Sequence, residues 1–364
     1  MFFINIFIIF LINKIITGQF EDEYTINARA GIVDKLFDGD IDLRPEEYYQ
    51  LKRSKFFSDP AARKNALFTN WETDEKYHWP HQPSTTQGVR YGPLINYTLD
   101  WEKIVEPPSC LFSFSFFEKK LNFKVVWLKN ILDAHKNIEE NTCIRFANSS
   151  EGDHIHYYWG YGCHSLVGRN GGKQWLSLGP GCWTVNAVHE TLHALGSNHE
   201  QSRQDRDTFI KINEENMIEN ISDAFAIIAG SPTGNPYDFG SCMHYSNGAF
   251  SKNQKYFFLI LGSTMHYNNM AFSKNKKPTI ETLDKNYQHT IGYRLKLSFL
   301  DTKALNHRYC EHICDDLTWI TPDCRNNGYP NPNKCSECLC PEAKIKKIKK
   351  IFFLIIKGVC CSLL

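Results

Sequence analysis

The chain has 364 residues, 42% of them hydrophobic, enough for one large or two ordinary domains with a real core. Its 41 basic and 40 acidic residues leave a net charge of +1, so no nucleic-acid partner is implied. The 13 cysteines, clustered toward the C-terminal end, imply a disulfide framework and an oxidising compartment rather than a cytosolic protein.

Residues 2–16 are almost wholly apolar, broken by Asn5, Asn13 and Lys14, and are followed by Thr17-Gly18. Their uninterrupted apolar core is too short to span a bilayer, so residues 1–18 read as a signal peptide and no stable membrane insertion is expected. A buried helix or a signal anchor is the alternative. Residues 19–64 are polar and charged, hold Leu36-Phe37-Asp38-Gly39-Asp40-Ile41, and end in Ala61-Ala62-Arg63-Lys64. The first stretch contains a plain Asp-Gly turn signal. Arg63-Lys64 is either a processing site or a surface charge pair. Asn96, Asn148 and Asn220 each open an Asn-x-Ser/Thr triplet, a signal that also arises by chance. Residues 131–146 read as the end of an amphipathic helix entering a strand at Cys143. Residues 155–159, 164–167 and 174–178 read as strands joined by glycine-rich turns.

The stretch with the most chemistry is His189-Glu190-Thr191-Leu192-His193-Ala194-Leu195-Gly196-Ser197-Asn198-His199-Glu200. On a helix, His189 and His193 share one face about one turn apart and can bind a single metal ion. Glu190 lies off that face, within reach of a water on the same metal. Gly196 can end the helix in left-handed dihedrals, and the reversed chain returns His199 as a third ligand. Three nitrogens and one open position describe a catalytic zinc site, not a closed structural one. The competing reading is an amphipathic helix whose histidines satisfy core polar groups. Val185, Val188, Leu192 and Leu195 frame the helix under either reading.

This extended motif resembles the metzincin metalloproteases, and the run His199-Glu200-Gln201-Ser202-Arg203-Gln204-Asp205-Arg206-Asp207 resembles the astacin family in particular. The resemblance implies an α+β, two-lobed catalytic domain over residues 65–310, with a twisted mixed sheet and helices above the zinc cleft and an irregular lobe below it. It implies one catalytic Zn2+ on His189, His193 and His199, with Glu190 as general base. Residues 19–64 would be a propeptide in which Asp40 takes the open zinc position, since a carboxylate is a suitable zinc ligand. Processing near Arg63-Lys64 would free an ammonium to be buried against Glu200, because a buried charge needs a partner. Cys143 would pair with Cys310, and Cys163 with Cys182. A sheet edge strand would align the substrate backbone by strand addition. Asn96 stands where the family more usually has proline. Residues 102–128, with Cys110 and the apolar run 111–117, have no counterpart in the family pattern. They are either an ordered insertion or translated non-coding sequence.

Gly240-Ser241-Cys242-Met243-His244-Tyr245 resembles the family's Met-turn, which makes Tyr245 a zinc-site residue that stabilises the oxyanion. A second copy, Gly262-Ser263-Thr264-Met265-His266-Tyr267, follows: residues 240–253 match 262–275 at 11 of 14 positions. Two such turns cannot lie under one zinc. Met243 has the upstream spacing to the helix in its favour, while Met265 runs on unbroken into Pro278-Thr279-Ile280. Residues 254–261 then read as a poorly matching insertion, or one copy as a duplicated exon. Residues 297–306 resemble the domain's closing helix. Cys314, Cys324, Cys335, Cys338 and Cys340 resemble a partial EGF-like module over 311–343, with a zinc ribbon as the competing reading. Residues 344–364 stay unassigned.

The chain therefore reads as a secreted zinc endopeptidase made as a zymogen and acting on extracellular protein or peptide substrates, with the EGF-like module open to an extracellular partner. Its rival is a catalytically inactive secreted binding protein that uses that module. A cytosolic zinc enzyme is disfavoured by the leader and the cysteines.

Overall fold

The computed structural model describes residues 23–32, 35–53, 75–81, 92–100, 116–217, 225–228, 234–246, 277–292, 296–317 and 321–341. The expected signal peptide, Arg63-Lys64, residues 102–115, the acceptor at Asn220, the stretch 254–261, the second turn at Met265 and the tail from 344 lie outside them.

In chain order the elements begin with helix α1 (Glu23–Ala30), strand β1 (Ile41–Asp42), helix α2 (Pro45–Arg53) and strand β2 (Leu94–Asp100). Helix α3 (Phe116–Asn141) leads to β3 (Arg145–Asn148), β4 (His154–Tyr158), β5 (Cys163–Leu166) and β6 (Lys173–Leu178). Helix α4 (Thr184–Ala194), β7 (Ile210–Ile212), β8 (Ile280–Thr282), α5 (Phe299–Cys310), β9 (Tyr329–Pro330) and β10 (Cys338–Leu339) complete the set. The main sheet has the order β1-β5-β6-β4-β2-β3. It is mixed, since β5 runs antiparallel to β6 while β1 pairs with β5, and β4 with β2 and β6, in parallel.

Strand β4 shows how the alternation builds the core. Ile155 and Tyr157 are fully buried on one face, against helices α3 and α4. Helix α3 answers with Trp127, Ile131, Ala134 and Ile138, all buried, spaced four, three and four apart on one stripe. The Trp127 indole also donates to Leu178 O at 2.9 Å. The helix is continuous from Phe116, so the part of the 102–128 stretch from 116 on is regular helix. Phe123, Val125 and Val126 are exposed on its outer side, and these extra apolar residues blur the periodicity that would have revealed it.

A second apolar cluster, with Ile210, Tyr237, Tyr245, Ile280 and Ile291, lies apart from the first and forms the less regular lobe around β7 and β8. Disulfides join Cys143 to Cys310 and Cys163 to Cys182. The first closes a sequence separation of 167 residues and ties the ends of α3 and α5 together. Beyond α5, Cys314 pairs with Cys335 and Cys324 with Cys338 around the β9/β10 ribbon, and Cys340 is disulfide-bonded as well.

The N-terminal segment is packed onto this body and is not a loose tail. Ile26 joins the main core, and Phe37 and Ile41 bury against Tyr77 and Val167. Ile138→Ala, which empties the α3 stripe, is expected to cost about 3 kcal/mol, read as a lower urea midpoint at unchanged slope. A loss below about 1 kcal/mol would remove α3 from the core.

Candidate metal centre

Helix α4 presents the site because its end is closed. Gly196 has φ +93°. Its N–H donates to His193 O at 2.7 Å, and Ser197 N–H donates to Leu192 O at 2.9 Å. This pair of bonds is the glycine stop that satisfies the last carbonyls of a helix. The chain then doubles back and carries His199 to the face that holds His189 and His193. All three rings are buried.

Each ring is aimed by its second nitrogen. His189 Nδ1–H donates to Cys242 O at 2.8 Å, His193 Nδ1–H to Ser197 O at 2.8 Å, and His199 Nδ1–H to Asp38 Oδ2 at 2.7 Å. A carbonyl or carboxylate oxygen can only accept, so these bonds fix the tautomer and leave each Nε2 as a lone pair. The lone pairs converge. His189 Nε2 is 3.2 Å from His199 Nε2 and 3.2 Å from Asp40 Oδ2, and Asp40 Oδ1 is 3.1 Å from His199 Nε2 and 3.5 Å from His193 Nε2. Ligand atoms bound at about 2.0–2.2 Å to a tetrahedral ion stand about 3.3–3.5 Å apart. These separations are close to that, and all four donors lie within 4.8 Å of one another, so they can share one ion.

Electrostatics give the same answer. Two ring nitrogens at this distance, their protons committed elsewhere, repel unless something positive lies between them. Before a metal binds, burial disfavours a charged His199, but Asp40 and Asp38 reverse that and push its pKa up to about 10; a bound cation would take the place of that second proton. Burial would raise Asp40, yet positive charge on the facing imidazole cluster, His199 above all, holds it well below the usual carboxylate range. The cluster demands a cation. His193 Nε2 and Asp40 Oδ1 have no hydrogen-bond partner among the described residues, as expected of atoms reserved for a metal. Nitrogen and carboxylate donors in this geometry fit zinc.

Of the other residues singled out in the sequence, Glu190 is fully buried beside His189, on the side facing Glu23. Met243 is buried under the site, and its carbonyl accepts from Glu200 N–H at 3.0 Å. The turn that contains it is held by Asp301, which accepts from Ser241 Oγ at 2.6 Å and from Cys242 N–H at 2.9 Å. The Tyr245 ring lies 4.4 Å from that of His199, and its hydroxyl donates to Asp38 O. Glu200 is not among the donors around the metal position. Its Oε1 accepts from Asp238 N–H at 2.7 Å and from Arg203 at 2.8 Å, and burial pushes its pKa up to about 8.

Three residues with parts in the site were not singled out in the sequence. Asp38 orients His199 and accepts from Ser202 Oγ at 2.8 Å. Glu23 accepts from Asn186 Nδ2 at 2.8 Å, with Oε2 3.9 Å from His189 Nε2. Asn27 donates to Gly39 O at 3.0 Å and to Cys163 O at 2.6 Å, which clamps the Asp38-Gly39-Asp40 turn to β5. Only Asp38 had a signal, as the first acid of an Asp-x-Asp pair around a glycine with φ +86°.

A mixed sheet, a closed helix with two histidines, a third from the returning chain and a carboxylate one residue after the first define a metal-dependent peptidase architecture. The model of the astacin family of peptidases matches residues 116–260 and 258–310. The chain belongs to the astacin family. Among curated relatives it is 38% identical over 239 residues to zinc metalloproteinase nas-37 of Caenorhabditis elegans, covering 64% of this chain and 28% of that protein. It is 38% identical over 331 residues to zinc metalloproteinase nas-36 of Caenorhabditis briggsae, covering 88% of this chain and 44% of that protein. It thus spans less than half the length of either relative. Among solved structures, the hatching-enzyme zinc protease HCE-1 of Oryzias latipes is 28% identical, with 64% of this chain and 94% of that chain covered at a TM-score of 0.46. Zinc is the metal of this family, and the donor set fits it.

One zinc per chain is expected by elemental mass spectrometry. Asp38→Asn, which keeps the shape but weakens the hold on His199, should lower zinc affinity about tenfold in a chelator competition.

Proposed function

We propose that this chain is the latent precursor of a secreted zinc metalloendopeptidase. The observation that carries the reading is the seating of Asp40 between the Nε2 atoms of His189, His193 and His199. In this reading the three rings hold the metal and Asp40 occupies the position a substrate and its attacking water would need. Residues 19–64 form the prosegment, and residues 1–18 its leader. Four disulfides among the described cysteines support an oxidising, extracellular setting.

The roles of the residues follow from what each can do. Bound zinc would supply Lewis acidity, lowering the pKa of a water and polarising a carbonyl. Glu190, buried next to His189, takes the proton of the attacking water and delivers it to the leaving amine. Tyr245, freed from Asp38 O, donates its hydroxyl to the developing oxyanion. Met243 supports the floor of the site through the turn that positions Cys242 O on His189. Strand β5 is the sheet edge once β1 has left, and an extended peptide adds to it by backbone pairing.

Glu200 awaits a new terminal ammonium after processing near Arg63-Lys64. It lines a small cavity with Asp238 and Asp301. Burial, with Asp301 beside it, pushes the pKa of Asp238 up to about 6. Three acids share this space with Arg203 and Arg308, and a further positive charge there would draw Glu200, whose pKa is raised by burial, into its ionised form.

The C-terminal cysteines support an EGF-like module. Among Cys314, Cys324, Cys335 and Cys338 the first bonds to the third and the second to the fourth, around a short two-stranded ribbon. Such a module offers a surface for an extracellular partner. Protein or peptide chains are the substrates.

Two variants test the reading. Glu190→Gln should keep zinc but lose cleavage of casein by at least about a thousandfold, and zinc chelation of the unaltered processed protein should do the same. Asp40→Ala should give a chain that cleaves before processing. Unaltered latency in that variant would falsify the role given to Asp40.

A further inference from the structure

Arg44 is the most completely held cation among the described residues of the N-terminal segment. Its side chain is 4% exposed. Nε donates to Asn170 Oδ1 at 2.8 Å and Nη2 to Val167 O at 2.8 Å, with Arg169 O at 3.4 Å and Gly168 O at 3.5 Å from the same nitrogen. Its guanidinium carbon lies 4.7 Å from the centroid of the Tyr77 ring. The remaining partner, Glu47 at 2.8 Å, belongs to the same segment and would leave with it.

The cradle's polar framework is held by bonds outside the N-terminal segment, although Phe37 and Ile41 pack on Tyr77 and Val167 beside it. Gly168 N–H donates to His193 O at 2.8 Å, and Arg169 N–H to Tyr77 O at 2.7 Å. Arg169 pairs with Asp153 and donates to His78 O at 2.9 Å. Asn170 N–H donates to Gln174 Oε1 at 2.9 Å, while Gln174 Nε2 donates to Gly168 O at 3.2 Å. None of these bonds involves residues 23–53. Removing Arg44 would leave an amide oxygen, a row of carbonyls and the Tyr77 face, which Lys76 Nζ also approaches at 4.6 Å from the centroid, around a vacated space.

Its place along the chain matters as well. Ile41 pairs with Ser165 and Asp42 with Leu166 on β5, and Arg44 follows two residues later. It stands four residues after Asp40, at most about 13 Å of extended chain from the metal position. A peptide added to the same edge would bring one of its side chains over the cradle. The acceptors are arranged as a fork beside a ring, which suits a planar guanidinium better than an ammonium.

We propose that this cradle is a guanidinium subsite, filled in cis by Arg44 before processing and by an arginine of the peptide substrate afterwards. The proposal rests on the latency reading above.

The test uses the full chain, expressed and then processed, on a peptide that it cleaves at one bond. One arginine, or citrulline in its place, is moved through the positions on both sides of that bond. The expected result is one position, three to five residues from the bond, where citrulline raises KM about tenfold and leaves kcat within about twofold. Asn170→Ala, which removes the acceptor for the arginine Nε–H, should raise the KM of the arginine peptide severalfold and leave its kcat within about twofold. Circular dichroism and zinc content report whether that variant is folded, and Asn170→Ser replaces it if it is not. The proposal is overturned if no position separates arginine from citrulline by more than about twofold, or if both Asn170 variants leave the arginine peptide's KM unchanged. Failure of the latency reading would look different, as full activity of the unprocessed chain whatever its arginine preference.

Discussion

Three imidazole lone pairs meet at one point, and the rest of the structure is arranged to make that possible. A ring nitrogen is best aimed when its other nitrogen is tied down. The three ties come from three places: Cys242 O in the turn below, Ser197 O just past the glycine stop, and Asp38 in the N-terminal segment. Helix α4 alone would bring two rings to one face but would not settle their tautomers. The disulfide from Cys163 to Cys182, the Asp301 brace and the α3 stripe all act at one remove, by fixing the bodies that carry these oxygens.

One consequence concerns His199. Its orienting partner belongs to the segment that the proposed function removes. Tyr245 depends on the same residue, since its hydroxyl donates to Asp38 O. Loss of residues 38–40 would therefore release a ring and a phenol together at the moment the metal position opened. Asp38 and Asp40, separated by one glycine, act on two parts of one site: Asp40 on the metal position and Asp38 on the groups around it.

Besides the bonds made by Glu23, Asn27, Asp38 and Asp40, the N-terminal segment holds on through three further kinds of contact. Phe37 and Ile41 bury apolar surface, β1 adds backbone pairs to β5, and Arg44 fills a polar cradle. None of these needs to be strong alone. Because the segment is covalently attached, its effective concentration at the site is high, and separate weak contacts act together. Cutting the connection between residue 53 and the main domain removes that advantage without altering any contact.

Local spacing made much of the site readable in advance. His189 and His193 at four apart, Gly196 where the helix must stop and His199 three residues on specify a metal-binding reversal by the arithmetic of the helix and the dihedral freedom of glycine. The strands around residues 155–178 were legible for a similar reason, because alternation is a property of neighbours. The start of α3 was not, since Phe123, Val125 and Val126 put apolar residues on a solvent face. Glu23, Asn27 and Arg44 carried no signal, because their partners Asn186, Cys163 and Asn170 lie more than a hundred residues away in the chain and meet them only after the sheet has formed. What the sequence determined by itself was the set of donors and the turn that gathers two ends of one short stretch. Which oxygens orient those donors, and which side chains fill the edge of β5, was decided only by tertiary structure, where distance along the chain no longer sets distance in space.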